Sequence, residues 1–176
     1  MPKKWSLIEE FATRQRSINF YLLSMFLPNP DPVLKKLNKD ITIYKELLSE
    51  PHVGACVLSR KAGVQSLEWG IDRGKARSGQ SKIIEKHFNN LNIQKIISEI
   101  LNADLFGYQP MEAMWYKDGN LILPDLISKP PEWFIFSQEN TLRFRSRGNS
   151  IYGEELPPYK FLCPTHQATY DNPYGI

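Results

Sequence analysis

The segment from residue 92 to residue 119 constrains the fold more than any other, because it encodes a helix, a stop and a hairpin in succession. Asn92 is a favoured N-cap residue, and Gly107 suits the left-handed position just past a helix end. Apolar residues between them recur at helical spacing, at Ile93, Ile96, Ile97, Ile100, Leu101 and Leu105. Residues 111–115 then alternate as on a strand, and Asp118-Gly119 predicts a tight two-residue turn.

Helical signals lie before this unit and strand signals after it, which predicts an α+β fold. Helices are predicted over residues 5–16, from the Asp31-Pro32 start with Leu34 and Leu37 facing inward, over 41–49, from Pro51, and from a Ser81 cap. A strand over 64–71 and a flexible polar loop over 73–80 are predicted between the last two of these helices. Short, mostly antiparallel strands are predicted at residues 121–123, 133–136, 142–145 and 160–162.

Several weak motifs occur in a characteristic order. Residues 47–64 contain the Arg60-Lys61 pair shortly before Val64, and residues 67–71 follow as Leu-Glu-Trp-Gly-Ile. The helix–hairpin unit comes next, then the proline-then-aromatic run at 130–136 and the loop at 165–176. This order resembles the portal proteins of Mu-like phages and prophages from about residue 31 to the last residue. The resemblance implies an α+β portal wing-like domain over 31–176, ending before the channel-lining helical region, so the chain reads as an N-terminal fragment, with a natural C-terminus after the turn at 172–175 as the alternative. Residues 1–30 are interpreted as an N-terminal arm, predicted to be helical, with Phe20, Leu23 and Leu27 on one side.

The resemblance also implies a structural, non-enzymatic role without a cofactor. Portal subunits form a ring, expected to be a dodecamer, at one capsid vertex, where it is the conduit for DNA packaging and ejection and the head–tail connector. The implied partners are further copies of the chain, the terminase, capsid or scaffold proteins, head-completion proteins, and DNA that passes through without sequence specificity. The implied location is the virion, with host cytoplasm during assembly and no membrane contact.

Composition excludes little. Hydrophobic residues make up 41% of the chain and charged residues 23%, which is ordinary for a globular domain. A net charge of +3 does not by itself indicate nucleic-acid binding. The two cysteines lie far apart, which is typical of a reducing compartment. The apolar run at residues 18–27 is shorter than the ~20 residues that a membrane helix needs.

The residues with potential for enzymatic or metal chemistry are few. His52, Cys56, Cys163 and His166 could supply a Cys2His2 zinc set, since thiolate and imidazole suit that metal. Neither half has a CxxC spacing, and Cys56 fits the apolar face of its predicted helix, so a structural role is favoured. A cysteine–histidine nucleophile has no recognisable third group. No nucleotide-binding motif of the GxxxxGK[ST] or GxGxxG type occurs in the sequence.

Two basic features could contact DNA phosphates or an acidic neighbouring subunit. One is the loop that carries Arg73, Lys75, Arg77 and Lys82. The other is the predicted strand in which Arg143, Arg145 and Arg147 share one face, opposite Phe144. A solvated outer face is the favoured reading of both, and a non-catalytic nucleic-acid-binding module is the alternative function. The large aromatic residues of the predicted strands are expected in the core, namely Trp69, Trp115, Trp133, Phe134 and Phe136.

Overall fold

The computed structural model describes residues 9–13, Leu34, 41–137 and 139–175. Its architecture confirms the α+β prediction, with helices first and two small antiparallel sheets after them. The helices are α1 (Ile43–Leu48), α2 (Pro51–Gln65), α3 (Ser78–Asn90), α4 (Ile93–Ile100) and α5 (Ala103–Phe106). No helix among these described residues is long and apolar enough to cross a membrane.

Capping groups set the helix bounds. The Glu50 carboxylate accepts a hydrogen bond from the Val53 N–H at 2.7 Å, and Pro51 occupies the first helical position of α2. The predicted cap at Asn92 is confirmed, because its Oδ1 accepts from the Lys95 N–H at 3.0 Å. The prediction of one continuous helix after Asn92 is wrong, because the segment forms two helices. Around Asn102 the backbone bonds switch to i→i−3 spacing, which separates α4 from α5 before Gly107 ends the segment with φ 82°.

Three other sequence predictions of local structure are wrong. No strand forms over residues 64–71, because α2 continues to Gln65 and the Ser66 N–H closes its last turn onto the Ala62 carbonyl. Helix α3 begins at Ser78, not at a Ser81 cap, so the polar loop before it is shorter than predicted. Residues 9–13 are not helical, because a distant carboxylate binds their N–H groups. Leu34 is helical and buried as predicted, whereas the rest of the predicted arm and Leu37 lie outside the described residues.

The first sheet has the strand order β2-β1-β6 and is built from β1 (Met111–Asp118), β2 (Leu121–Ser128) and β6 (Phe161–Leu162). Asp118 pairs with Leu121, so the two-residue loop is Gly119-Asn120, one residue later than predicted. Gly119 has φ 57°, and a positive φ at the first loop residue favours glycine there. Pro124 lies within β2, opposite Trp115, which is tolerated because β2 is an outer strand.

The second sheet has the order β3-β4-β5, from β3 (Phe134–Phe136), β4 (Leu142–Phe144) and β5 (Glu154–Glu155). A 3₁₀ turn at Pro131–Trp133 leads into it. Aromatic rings join the two sheets, since Phe134 of the second sheet lies 5.6 Å from Phe161 of the first, measured between ring centroids. Phe11 completes this cluster at 5.7 Å from Phe144. The core prediction holds for Phe134 but is wrong for Trp69, which is 42% exposed outside any strand.

Candidate functional site

A buried carboxylate organises the first sheet. Glu112 lies on β1 with no solvent exposure, between the core residues Met111 and Ala113. Its Oε1 accepts a hydrogen bond from the Phe11 N–H at 2.5 Å, and its Oε2 accepts one from the Ala12 N–H at 3.2 Å. The side chain thereby attaches a segment about one hundred residues earlier in the chain to the middle of the sheet.

Two lysines neutralise this carboxylate. Lys129 Nζ lies 3.2 Å from Glu112 Oε2, and Lys160 Nζ lies 3.4 Å from Oε1. Both lysines are almost completely buried, and Lys129 also pairs with Glu10, while Lys160 donates to the Ala113 carbonyl at 2.9 Å. Two positive and two negative charges therefore balance, which a buried ionic cluster requires. We call Glu10, Glu112, Lys129 and Lys160 the Glu112 cluster.

Sequence reasoning missed the Glu112 cluster. The alternation of β1 assigns Glu112 to the face opposite Met111 and Ala113, and a single-sheet pattern predicts that this face meets solvent. In the structure the N-terminal segment covers that face, so both faces of β1 are buried at this point. The only signal was a carboxylate flanked by buried apolar residues, and its partners come from three other parts of the chain.

The last described loop folds back onto the end of α5. The His166 N–H donates to the Gly107 carbonyl at 2.8 Å, and the Gln109 N–H donates to the Pro164 carbonyl at 2.9 Å. Tyr174 inserts its ring beside Tyr108, 5.5 Å away between centroids, and its hydroxyl accepts from the Phe136 N–H at 2.9 Å. Burial raises the pKa of Tyr108 well above its ordinary value and also raises the pKa of Tyr174.

The four candidate zinc ligands do not form a site among the described residues, where no group of three or more His, Cys, Asp or Glu side chains could hold a metal ion. His52 and Cys56 are exposed on α2, so the prediction that Cys56 packs inward is wrong. Burial raises the pKa of Cys163 to about 12, which keeps that thiol protonated near neutral pH. His166 Nδ1 instead lies 3.1 Å from Asp104 Oδ1.

The first basic feature is an exposed turn between α2 and α3. Gly74 adopts φ 51°, and its N–H donates to Asp72 Oδ1 at 2.9 Å, which shapes the turn. Its three cations are exposed and form no ion pair with another described residue. We call them the basic turn: Arg73, Lys75 and Arg77. Lys82 is exposed one turn into α3, which extends the same positive region.

The second basic feature does not have the predicted geometry. Strand β4 ends at Phe144, and Arg145 is only 6% exposed, with its Nε donating to the Ser150 carbonyl at 3.3 Å. Arg143 Nη2 lies 3.5 Å from Glu155 Oε1, and Arg147 is exposed. The prediction that one strand face carries all three arginines is therefore wrong, because strand β4 ends at the buried Phe144.

Lys61, from the Arg60-Lys61 pair, connects α2 to α4 and to the turn between α4 and α5. Its Nζ donates to the Ser98 carbonyl at 2.9 Å and to Asn102 Oδ1. Desolvation lowers the pKa of Lys61, although Asp104 and Glu99 act in the opposite direction. A cation at the C-terminal end of α4 also interacts favourably with the helix dipole.

The chain was compared with known protein families and with curated proteins. Residues 41–176 match the family described as the portal protein of Mu bacteriophage. This match places the protein in the class of phage portal proteins. Because it covers more than half of the chain, the protein belongs to the portal family of Mu-like phages, which confirms the resemblance seen in the sequence. A comparison with curated proteins found no match.

Proposed function

We propose that the chain is a structural subunit of a portal ring, through which DNA enters the capsid during packaging and leaves it at ejection. The observation that carries this proposal is the family match over residues 41–176. In this role the protein acts as one wall segment of the ring, next to further copies of itself. The terminase, capsid or scaffold proteins and head-completion proteins are its proposed partners in the virion and during assembly in the host cytoplasm.

The internal structure supports a load-resisting role. A ring that conducts DNA needs subunits whose shape is fixed, and the Glu112 cluster together with the aromatic rings joins both sheets and the N-terminal segment into one packed unit. Close packing makes such a unit resist deformation. Its chemistry is that of a scaffold: the buried ionic groups bind each other and the backbone.

A genetic experiment tests the proposal. Disrupting the coding sequence in the phage that carries it is expected to leave capsids without packaged genome, measured as nuclease-protected DNA per particle. Supplying the wild-type chain in trans restores packaging, and supplying a chain with an early stop codon is the matched control. Normal packaging without any copy of the chain contradicts the proposal.

A second candidate is a nucleic-acid-binding module, favoured by the cations of the basic turn, which are exposed and have no ion-pair partner within the described part of the chain. Such a module contacts phosphates without sequence preference, and its affinity falls with salt by a slope of about 0.9 per phosphate contacted on duplex DNA. Replacing all three cations by alanine is then expected to flatten the salt dependence by about 3 units. The control replaces Lys45, Lys95 and Lys117, which lie on other elements. Negligible binding of the unaltered chain to random duplex DNA at low salt excludes this candidate.

A further inference from the structure

An apolar surface lies beside the basic turn. Trp69 and Phe88 pack together with ring centroids 6.3 Å apart, and both remain exposed, as do Leu67 and Ile84. Ile84 and Phe88 lie one helical turn apart on α3, so they share one side of that helix. We call this group the α3 surface: Leu67, Trp69, Ile84 and Phe88, with the basic turn at its margin. Single exposed apolar residues are ordinary, but a contiguous aromatic group indicates an interaction surface.

A second apolar surface lies at the outer strand of the other sheet. Ile151 and Tyr152 precede β5 and are 66% and 74% exposed, and Tyr159 follows β5 with 84% exposure. Glu155 on β5 adds a carboxylate that is 83% exposed and pairs at its margin with Arg143 of the same chain, 3.5 Å from Nη2 to Oε1. We call Ile151, Tyr152, Glu155 and Tyr159 the β5 surface. Exposed tyrosines with a nearby charge are typical of protein interfaces, where the ring supplies area and the hydroxyl tolerates water.

The two surfaces are attached to opposite edges of the first sheet. Helix α3 is fixed to the outer strand β2 by His87, whose Nε2 donates to the Pro124 carbonyl at 2.8 Å. The second sheet is fixed to the other outer strand, β6, by the Phe134–Phe161 contact. The charges that could meet are local: the basic turn has three exposed cations that form no ion pair with another described residue, whereas the Glu155 carboxylate is highly exposed.

We propose that the α3 surface of one copy binds the β5 surface of the next copy in a head-to-tail contact. This inference rests on the proposed function and specifies its lateral contact. A contact between two different surfaces of the same chain repeats around an axis and forms a ring where the rotation closes, whereas one surface that binds itself ends as a dimer. The aromatic residues supply the buried area, and the basic turn faces Glu155 across the margin. Binding of DNA to the basic turn is the competing outcome.

Single-cysteine chains test the contact directly. The background carries Cys56→Ser, and the unaltered Cys163 has little thiolate because burial raises its pKa to about 12, so this background alone is oxidised as the blank. One chain carries Gln80→Cys, one turn before Ile84 on α3, and the other carries Ile151→Cys on the β5 surface. Mixed and mildly oxidised, the two chains are expected to form a heterodisulfide in preference to either homodisulfide. Ser59→Cys, exposed on α2, is the matched control and is expected to remain uncrosslinked.

A charge exchange gives a second readout. Arg73→Glu in the Gln80→Cys chain is expected to lower the heterodisulfide yield by about threefold, the scale of an exposed ion pair. Glu155→Arg in the partner chain is expected to restore it. Three outcomes overturn the inference. The Ser59→Cys control crosslinks as strongly as Gln80→Cys, or homodisulfides exceed the heterodisulfide, or Arg73→Glu weakens DNA binding without lowering the heterodisulfide yield. These outcomes leave the packaging experiment unaffected, so the lateral contact can fail while the portal role stands.

Discussion

At the scale of single residues, Glu112 shows how a charge can be stabilised inside a small domain. A buried carboxylate is costly unless it is paired and accepts hydrogen bonds. Glu112 has both, from two lysines and two backbone N–H groups. Because the lysines are buried too, removing the carboxylate charge takes away the ion-pair partner that both of them share, at a site closed to water.

Glu112→Gln is therefore expected to lower the free energy of unfolding by about 3–5 kcal/mol, the cost of breaking a buried ion pair. Urea denaturation followed by circular dichroism measures it. The matched control is Glu155→Gln, which removes a carboxylate paired with Arg143 on the surface and is expected to cost about 0–1 kcal/mol. Similar losses in the two variants contradict the structural role of the Glu112 cluster.

Cys163 gives the protein a predictable response to alkali. Burial raises its thiol pKa from 9.0 to about 12 in the folded protein. Between these values the folded state keeps a proton that the unfolded state loses, so the free energy of unfolding falls as pH rises from 9 to 12. The slope is about 1.4 kcal/mol per pH unit for each such group. Tyr108 and Tyr174 act in the same direction above their ordinary pKa values.

Cys163→Ser removes this titration, because serine does not ionise in that range. The variant is expected to show a shallower loss of stability between pH 9 and 11 than the unaltered chain, measured as the urea midpoint at each pH. Cys56→Ser serves as the control, since Cys56 is exposed. Parallel pH profiles for the unaltered chain and the Cys163 variant exclude the assignment.

The sequence predicts the conformation of individual residues well where that conformation is determined by their neighbours in the chain. The cap at Asn92, the helix start at Pro51 and the positive φ at Gly107 follow from neighbouring residues, and all three are confirmed. The burial of Glu112 does not follow in this way. Its environment depends on Phe11 and Lys160, and only the folded chain brings these residues together.

At the scale of elements, the order of helices and strands is predictable and their ends are less so. The hairpin is confirmed with its loop displaced by one residue, because strand pairing extends to Asp118. The strand predicted over residues 64–71 reads as apolar alternation, yet the helix begun at Pro51 extends into it. Once the helix is nucleated, each added residue gains a backbone bond, so α2 includes residues 64 and 65, while residues 66–71 form neither helix nor strand.

Gly175 tests how the last loop packs against the end of α5. It has φ +87°, and a Cβ there would lie 2.3 Å from the His166 carbonyl oxygen and 2.6 Å from that of Gly107. Gly175→Ala is expected to lower the free energy of unfolding by more than about 1 kcal/mol, from strain and from displaced backbone. Gly63→Ala on α2 meets nothing within 4 Å and is expected to be neutral or stabilising. An equal effect of both substitutions in thermal unfolding rules out close packing at Gly175.

At the scale of the whole molecule, the folded unit is larger than the region that defines the family. The family match begins at residue 41, yet Phe11, Ala12 and Leu34 lie in the hydrophobic core. The N-terminal segment is thus an integral part of the domain where the structure describes it. Sequence reasoning assigned Phe11 and Ala12 to an arm over residues 1–30 because their motif content differs, and placed Leu34 in the domain that follows, whereas burial depends on what each residue contacts.

A chain shortened to residues 41–176 is consequently expected to lose its cooperative unfolding transition. Removing the Phe11 side chain alone costs about 3–5 kcal/mol, and shortening also removes Leu34 and the two N–H donors of Glu112. That loss is comparable with the total stability of a small domain, about 5–15 kcal/mol. A chain that begins at residue 9 keeps all of these contacts and is the matched control. Calorimetry distinguishes the cases: if the 41–176 chain melts as sharply as its control and at the same temperature, Phe11 and Leu34 do not belong to the folding unit.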